Sequence, residues 1–217
     1  MKIKWNGHAS FSITAKDGTV IITDPYEPGG FGGALAYGPI RDKADIVTVS
    51  HEHADHNYVD GLEGKPQVVK ESKTVKGISF KAIHVYHDDS RGSKRGENNI
   101  FVFTVDGVKL CHLGDLGHTL PKEVKKEIGQ VDALFLPIGG FFTIDPNEAT
   151  RVMQDLNPRV VIPMHYKTEK CGFPIAKLDD FLHGKEKSVV NVKASETNIA
   201  ADSLPAQQQI WVLSHAC

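Results

Sequence analysis

The sequence predicts an α/β domain built as a sandwich of two β-sheets, and three observations carry that expectation. The chain opens on a β-meander, with short strands at Ile3 to Trp5, Ser10 to Thr14 and Thr19 to Thr23, which suits a two-sheet sandwich better than a doubly wound sheet. Helical patterns at Pro121 to Ile128 and Asp145 to Leu156 alternate with the apolar strands Asp132 to Pro137 and Val160 to Ile162. Several strands also end on a histidine or an aspartate.

Composition bounds the rest. At 217 residues, 40% hydrophobic and net charge −2, the chain is long enough for one well-buried core, and no charge run or Pro/Ser-rich linker divides it. The near-neutral balance argues against a protein built mainly to hold nucleic acid, although nucleic acid stays open as a substrate. Cys111, Cys171 and Cys217 are odd in number without paired spacing, Met1 to Trp5 lacks the apolar run of a signal peptide, and no segment is long enough to cross a bilayer. A cytoplasmic protein without a membrane partner is the expectation. Cys111 reads as packing, Cys171 as packing or chemistry.

Taken in order, Lys16-Asp17-Gly18 supplies the turn between the second and third strands. His8 after Gly7 and Asp24 before Pro25 lie at strand ends, where each reads equally as a loop residue or as part of a site. Asp24 is a candidate acceptor for fixing the tautomer of a metal-bound histidine. Glu27 to Ile40 carries five glycines and two prolines. It is expected as a flexible loop with Phe31, Leu35 and Tyr37 exposed, either an Ω-loop or a lid following Asp24. Ile46 to Ser50 is a strand, and Asn57 to Leu62 a short helix.

Strands follow at Gln67 to Val69, Thr74 to Val75 and Ile78 to Tyr86. Alternation along the last puts His84 within the strand, in a hydrogen-bonded core role, and His87 at its exit. The loop Asp88 to Asn99 is the most charged in the chain. Arg91, Lys94 and Arg95 are candidates there for a phosphate or carboxylate of the substrate, against the plain alternative of a solvated loop.

Ile100 to Val105 and Val108 to Cys111 pair across Asp106-Gly107. The second strand leads into His112, Gly114, Asp115, Gly117 and His118, where glycines on both sides of Asp115 predict a sharp turn presenting one carboxylate. Asp132 to Pro137 leads to a close-approach loop at Gly139 to Phe142. Asp145-Pro146-Asn147-Glu148 combines an N-cap, a first-turn proline and an acidic third position. Val160 to Ile162 is followed by His165, Tyr166 and Lys167. Pro174 to Leu182 is expected as the last helix, Val189 to Val192 and Gln209 to Leu213 as late strands, and Ala194 to Ala206 shows little periodicity.

The densest chemistry is Ser50 to His56, Ser-His-Glu-His-Ala-Asp-His. His51 and His53 project to one side of an extended backbone while Asp55 and His56 swing round with the turn, so two metal pockets can start from one segment. Imidazole with carboxylate suits Zn²⁺ and tolerates Mn²⁺ or Fe²⁺. With His87, Asp115 and His165, these four make seven metal-binding candidates at strand exits, where α/β folds assemble ligands.

The ordered stretch resembles the HxHxDH motif of the metallo-β-lactamase superfamily at every position. Ile21 to Pro25, with Asp24 at the strand end, is also similar to the superfamily's pattern, and Gly7-His8-Ala9-Ser10-Phe11, Leu136 to Thr143 and Ile162 to Tyr166 are similar to its lactonase-like branch, which includes L-ascorbate-6-phosphate lactonase. The resemblance runs from Gly7 through His165. It implies a four-layer αβ/βα sandwich of two mixed β-sheets flanked by helices, spanning 1–217 as one domain. It implies two divalent ions, Zn²⁺ first and Mn²⁺ or Fe²⁺ as alternatives. His51, His53 and His87 would surround one, Asp55, His56 and His165 the other, with Asp115 bridging. Leu116 stands where the family often carries Thr, so a hydroxyl contact is missing there.

The chemistry implied is hydrolysis of a small anionic ester, lactone or phosphodiester by a hydroxide shared between two cations. Asp55 would orient the nucleophile or move a proton. His118, Tyr166 and Lys167 are candidates for stabilising an oxyanion, with strand-exit packing and a solvated cation as the alternatives for the last two. The superfamily's redox members carry Glu where His53 stands, which argues against oxygen reduction. A nucleic-acid phosphodiesterase lacks a clustered basic surface in its favour, and a non-catalytic metal-binding protein is disfavoured by the full ligand set. A homo-oligomer is compatible with the sequence.

Overall fold

A computed structural model describes residues 1–217. Its elements are β1 (Lys2–Gly7), β2 (Ser10–Thr14), β3 (Val20–Thr23), β4 (Ala44–Thr48), β5 (Gly64–Val69), β6 (Lys73–Val75), β7 (Ile78–Tyr86), β8 (Glu97–Val105), β9 (Val108–His112), α1 (Lys122–Ile128), β10 (Ala133–Pro137), α2 (Pro146–Leu156), β11 (Val160–Met164), α3 (Leu178–Leu182), β12 (Val189–Asn191), β13 (Glu196–Asn198) and β14 (Gln209–Val212). One sheet has the order β13-β1-β2-β3-β4-β5 and the other β12-β14-β11-β10-β9-β8-β7-β6. Both are mixed: β1 to β3 is an antiparallel meander that continues in parallel pairs through β4 and β5. In the second sheet β7, β8 and β9 are antiparallel, while β9, β10, β11 and β14 run parallel. This is the α/β sandwich that the meander and the alternating late elements predict.

The two-residue period of a strand explains where the core lies. Ile21 and Ile46 point between the sheets into the main core, with Phe11, Phe101 and Phe135, whereas their neighbours Ile22 and Val47 point the other way. That outer face is covered by a loop. Tyr26, Leu35, Tyr37 and Ile40 pack on it with Cys171 and Ile175. Each such fully buried large side chain contributes roughly 1.5–3 kcal/mol. The helices are few; α1 and α2 pack against β7 and β10 of the second sheet, and α3 against α2. The cap of α2 is as the sequence predicts: Asp145 accepts from the amides of Asn147 and Glu148, and Glu148 accepts from the amide of Asp145. No helix is long and apolar enough to cross a membrane.

Four expectations need correction. Leu35 and Tyr37 are buried, and only Phe31 of the three aromatic or aliphatic loop residues is exposed, because residues 34–37 are hydrogen-bonded to 168–172. Asn57 to Leu62 holds only a 3-10 turn, Val59–Gly61; the amide of Tyr58 bonds to the carbonyl of Pro25 and is lost to any helix. His84 is half exposed and pairs with Glu97 at 3.3 Å, outside the core, since the burial pattern of β7 changes phase between Phe80 and Ile83. Within the aperiodic stretch 194–206, Glu196–Asn198 forms an edge strand on β1.

Candidate metal centre

Five strand exits meet at one edge of the sandwich. The first sheet brings His8 from β1 and residues 51–56 from β4; the second brings His87 from β7, Asp115 from β9 and His165 from β11. His8 and His165 sit in the left-handed region, φ 51° and 52°, as does Asp24 at φ 39°. Such strain persists where surrounding bonds impose it. Here the carbonyl of His8 accepts from the amide of His165 and the indole of Trp5. Tight turns around Asp115 need glycine: a Cβ on Gly114 would lie 2.3 Å from Asn98 Oδ1, and one on Gly117 would lie 2.2 Å from the His87 carbonyl carbon. Asn98 completes this turn, accepting from the amide of Asp115 and donating to the carbonyl of Leu113, both at 2.9 Å.

The donors fall into overlapping groups. His8, Asp55, His56 and His165 form one, His51, His53 and His87 a second, and His51, His56 and Asp115 a third, each with its donor atoms within 4.8 Å of one another. Asp115 joins them: Oδ1 lies 3.2 Å from His56 Nε2, and Oδ2 lies 3.2 Å from His87 Nε2 and 3.3 Å from His165 Nε2. Ligand atoms ~2.0–2.1 Å from one tetrahedral ion stand ~3.3 Å apart, so these separations suit edges of a coordination shell.

Hydrogen bonding tests the same point. Buried atoms without a partner concentrate here: His51 Nε2, His56 Nε2, His165 Nε2 and Asp115 Oδ1 lie in the donor cluster, and the Nδ1 atoms of His8, His87 and His165 belong to rings whose Nε2 lies against Asp55 or Asp115. Orphaned buried polar atoms are rare and costly, and a cluster of them built from imidazole and carboxylate fits a divalent transition metal.

Asp24 sets the tautomers. Its Oδ2 accepts from His56 Nδ1 at 2.9 Å and from Ser50 Oγ at 2.6 Å, while Oδ1 accepts from the Ser50 amide. Because the single proton of the Ser50 hydroxyl goes to Asp24, that oxygen must accept from His51 Nδ1, 2.9 Å away. Both rings therefore carry hydrogen on Nδ1, which leaves Nε2 as the nitrogen each turns towards the donor cluster. One carboxylate orients a histidine in each of the first two groups.

Burial pushes His8 down to about 4, with the nearby His165 adding to it against the pull of Asp55. Burial also takes His51 to about 3, and lowers His53. His56 goes the other way: burial opposes its charge, yet the carboxylates of Asp115 and Asp55 hold it well above the ordinary imidazole range. Asp55 and Asp115 are held low despite burial, by His56 for the first and by His165 and His56 for the second. The cluster thus favours neutral imidazole at His8, His51 and His53 and positive charge at His56, between the carboxylates, where a cation would sit.

All seven strand-exit residues named from the sequence converge, and His8 joins them as a donor, a place sequence reasoning did not give it. The substrate candidates divide. Arg95 lines the cleft over the donors, but Arg91 is exposed and does not. His118, expected to act in catalysis, lies outside: Nδ1 donates to the carbonyl of Thr119 and Nε2 accepts from the amide of Tyr86, so both nitrogens are committed to backbone. Tyr166 is buried against Trp5, ring centroids 5.2 Å apart, and burial raises its pKa. Lys167 Nζ donates to the carbonyl of Phe173 at 2.8 Å. Sequence reasoning missed Asn98 and Ser50, for which a polar residue at a strand end is no signal. Phe142 was legible only as part of a close-approach loop.

The donors open onto two adjoining spaces. One of about 560 Å³ is lined by Phe31, Phe142, Phe173, Lys94 and Arg95 above His53, Asp55, His87 and Asp115. The other, about 420 Å³, is polar, with Glu52, Lys70, Glu97 and Asn99 beside His51 and His53.

Fold and donor set together define a metal-dependent hydrolase of the metallo-β-lactamase class. The chain belongs to the β-lactamase superfamily: the family described as "Beta-lactamase superfamily domain" matches residues 2–165. Among relatives, it is 30% identical over 197 residues to a UPF0173 metal-dependent hydrolase of Thermococcus onnurineus (strain NA1), covering 77% of this chain and 85% of that protein. It is likewise 30% identical to one from Methanoculleus marisnigri, over 77% and 82%. A crystal structure from Thermotoga maritima, provisionally described as a Zn-dependent hydrolase of the metallo-β-lactamase superfamily, superposes with TM-score 0.79 and 36% identity over 98% of this chain and 97% of that one.

Proposed function

We propose that the protein hydrolyses a small anionic ester, lactone or phosphodiester with two divalent transition metal ions, Zn²⁺ in first place. The observation that carries this reading is Asp115, one carboxylate within 3.3 Å of ring nitrogens from both histidine groups. His51, His53 and His87 would hold one ion, His8 or Asp55 with His56 and His165 the other, and Asp115 both. Bound there, divalent ions supply Lewis acidity that takes the pKa of a water from about 16 to about 7.

The chain's own residues do the rest. Asp24 fixes the rings of His56 and His51 so that neither has to reorient. Asp55, hydrogen-bonded to His8 Nε2 at 3.2 Å and lining the cleft, stands where it can take a proton from the attacking water and pass it on. Arg95 offers a cation to the substrate's charge. Three free cysteines, two of them buried, suit the cytoplasm.

Purified protein is expected to carry about two equivalents of transition metal and to turn over members of an ester, lactone and phosphodiester panel supplied with Zn²⁺, Mn²⁺ or Fe²⁺. A metal content reproducibly near zero after reconstitution would sink the reading.

A further inference from the structure

The larger space over the donors has an unusual wall. Phe31, Phe173 and Phe142 form a chain of edge contacts, with ring centroids 5.3 Å apart for Phe31 and Phe173 and 5.4 Å for Phe173 and Phe142. Phe173 also meets the ring of His8 at 5.9 Å, so the aromatic wall begins at the donor cluster itself. At its outer end Phe31 stays 52% exposed; Phe141, edge-on to Phe142 at 4.7 Å and 62% exposed, backs the wall without lining the space. Large apolar rings held open at the mouth of a concave site, beside hydrolytic residues, mark a surface that a ligand covers.

The cation in this wall is Arg95. Its guanidinium lies 5.5 Å from the centre of Phe142 and 5.9 Å from that of Phe141. Its amide is tied to Asp88 at 2.8 Å. Lys94, the other cation lining the space, is already paired with Asp89 at 2.8 Å, whereas Arg95 has no carboxylate partner. A guanidinium held over aromatic rings without a carboxylate partner has N–H donors left for an oxyanion, which it can bind in a bidentate manner.

On the hydrolase reading above, we propose that the substrate is an amphipathic anion, with an aryl or alkyl group among Phe31, Phe142 and Phe173 and an oxyanion on Arg95. A purely polar substrate such as a sugar phosphate fits this wall poorly, since its hydroxyls would face three phenyl rings; Lys70, Glu97 and Asn99 line only the neighbouring polar space, and Glu52, which lines both, is neutralised by Lys70 at 2.7 Å. Phe31, Phe142 and Phe173 would set the preference for the apolar group, and Arg95 the preference for charge.

The test is calorimetric titration with 4-phenylbutanoate, butanoate and 4-phenylbutan-1-ol, on metal-loaded and on metal-stripped protein. The phenyl acid is expected to bind at least ~10-fold more tightly than either truncated probe in both forms. Arg95→Gln should abolish the preference over the alcohol. Phe142→Ala should abolish the preference over butanoate, and Phe142→Leu, which keeps apolar bulk and guards against misfolding, should retain part of it. 2-Phenylethyl phosphate in the same series tells whether the oxyanion is a carboxylate or a phosphate. Equal affinities for the three probes, tighter binding of glucose 6-phosphate, or a preference that survives both Arg95→Gln and Phe142→Ala overturns the proposal. Selective binding without turnover of any ester would remove the hydrolase reading and leave the subsite standing. Turnover of acetate and 4-phenylbutanoate esters with equal kcat/KM, with flat titrations, would do the reverse.

Discussion

The two donor groups share Asp115 and differ in how they meet solvent. His8, Asp55, His56 and His165 are all buried, whereas the group of His51, His53 and His87 includes an exposed residue, His53. The closed group is also the strained one, with His8 and His165 both at positive φ and tied to each other through the backbone. The open group hangs from two strand exits and faces both spaces of the cleft through His53. On the two-ion proposal, the difference implies a division of labour: the closed group would hold its ion in a preorganised cage, and the open group would offer the ion that substrate reaches.

The largest effect is expected where the groups join. Asp115→Ala removes a donor from both and should cut kcat/KM by about 10³-fold or more, with metal analysis showing loss at both positions. A variant that kept one full equivalent would show that one group is complete without the shared carboxylate. Next comes a paired comparison. His53→Ala should release one equivalent only and leave the stability of the metal-free protein within about 0.5 kcal/mol, because the ring is exposed. Asp24→Asn should instead weaken both ions, by about 10–100-fold each, since Asp24 orients His56 directly and His51 through Ser50. Metal titrations that found Asp24→Asn acting on one ion alone would break the argument that one carboxylate governs both groups.

Much of this centre is written locally and is legible for that reason. His51 to His56 is a contiguous motif, and His87, Asp115 and His165 each announce themselves at or just beyond the end of an apolar strand, where the strand pattern stops and a turn begins. His8 carries the same signature but sits at the exit of a short opening strand, and only the sheet order brings it beside Asp55. Long-range pairing also explains the misreadings. Tyr37 looks exposed in a glycine-rich loop until its hydroxyl is seen 2.7 Å from Thr168 Oγ1, 131 residues away. His118 looks catalytic until the backbone of Tyr86 and Thr119 takes both its nitrogens. The edge strand Glu196–Asn198 has no apolar face to betray it, because it is held by β1 rather than by the core.

The smallest effect separates the open side of the site from the closed one. Asp88 follows His87 directly, and its carboxylate accepts from the amides of Ser90 (2.7 Å), Gly92 (2.9 Å), Lys94 (2.9 Å) and Arg95 (2.8 Å). Burial works to raise its pKa, but these bonds, that of Arg95 foremost, prevail and draw it down to about 2. A carboxylate depressed in the folded state contributes fully above its ordinary pKa of ~3.9, and the contribution is lost as pH falls through the lower value. Protection of these four amides from hydrogen exchange, corrected for intrinsic rate, should therefore stay flat from neutral pH to ~4 and decline towards pH 2. Asp88→Ala should speed their exchange at neutral pH by about 10-fold and raise KM through Arg95 more than it lowers kcat, while the metal content of the closed group stays unchanged. Unaltered exchange in Asp88→Ala would mean that the loop is held by something other than this carboxylate, and that the open side is as rigidly built as the closed one.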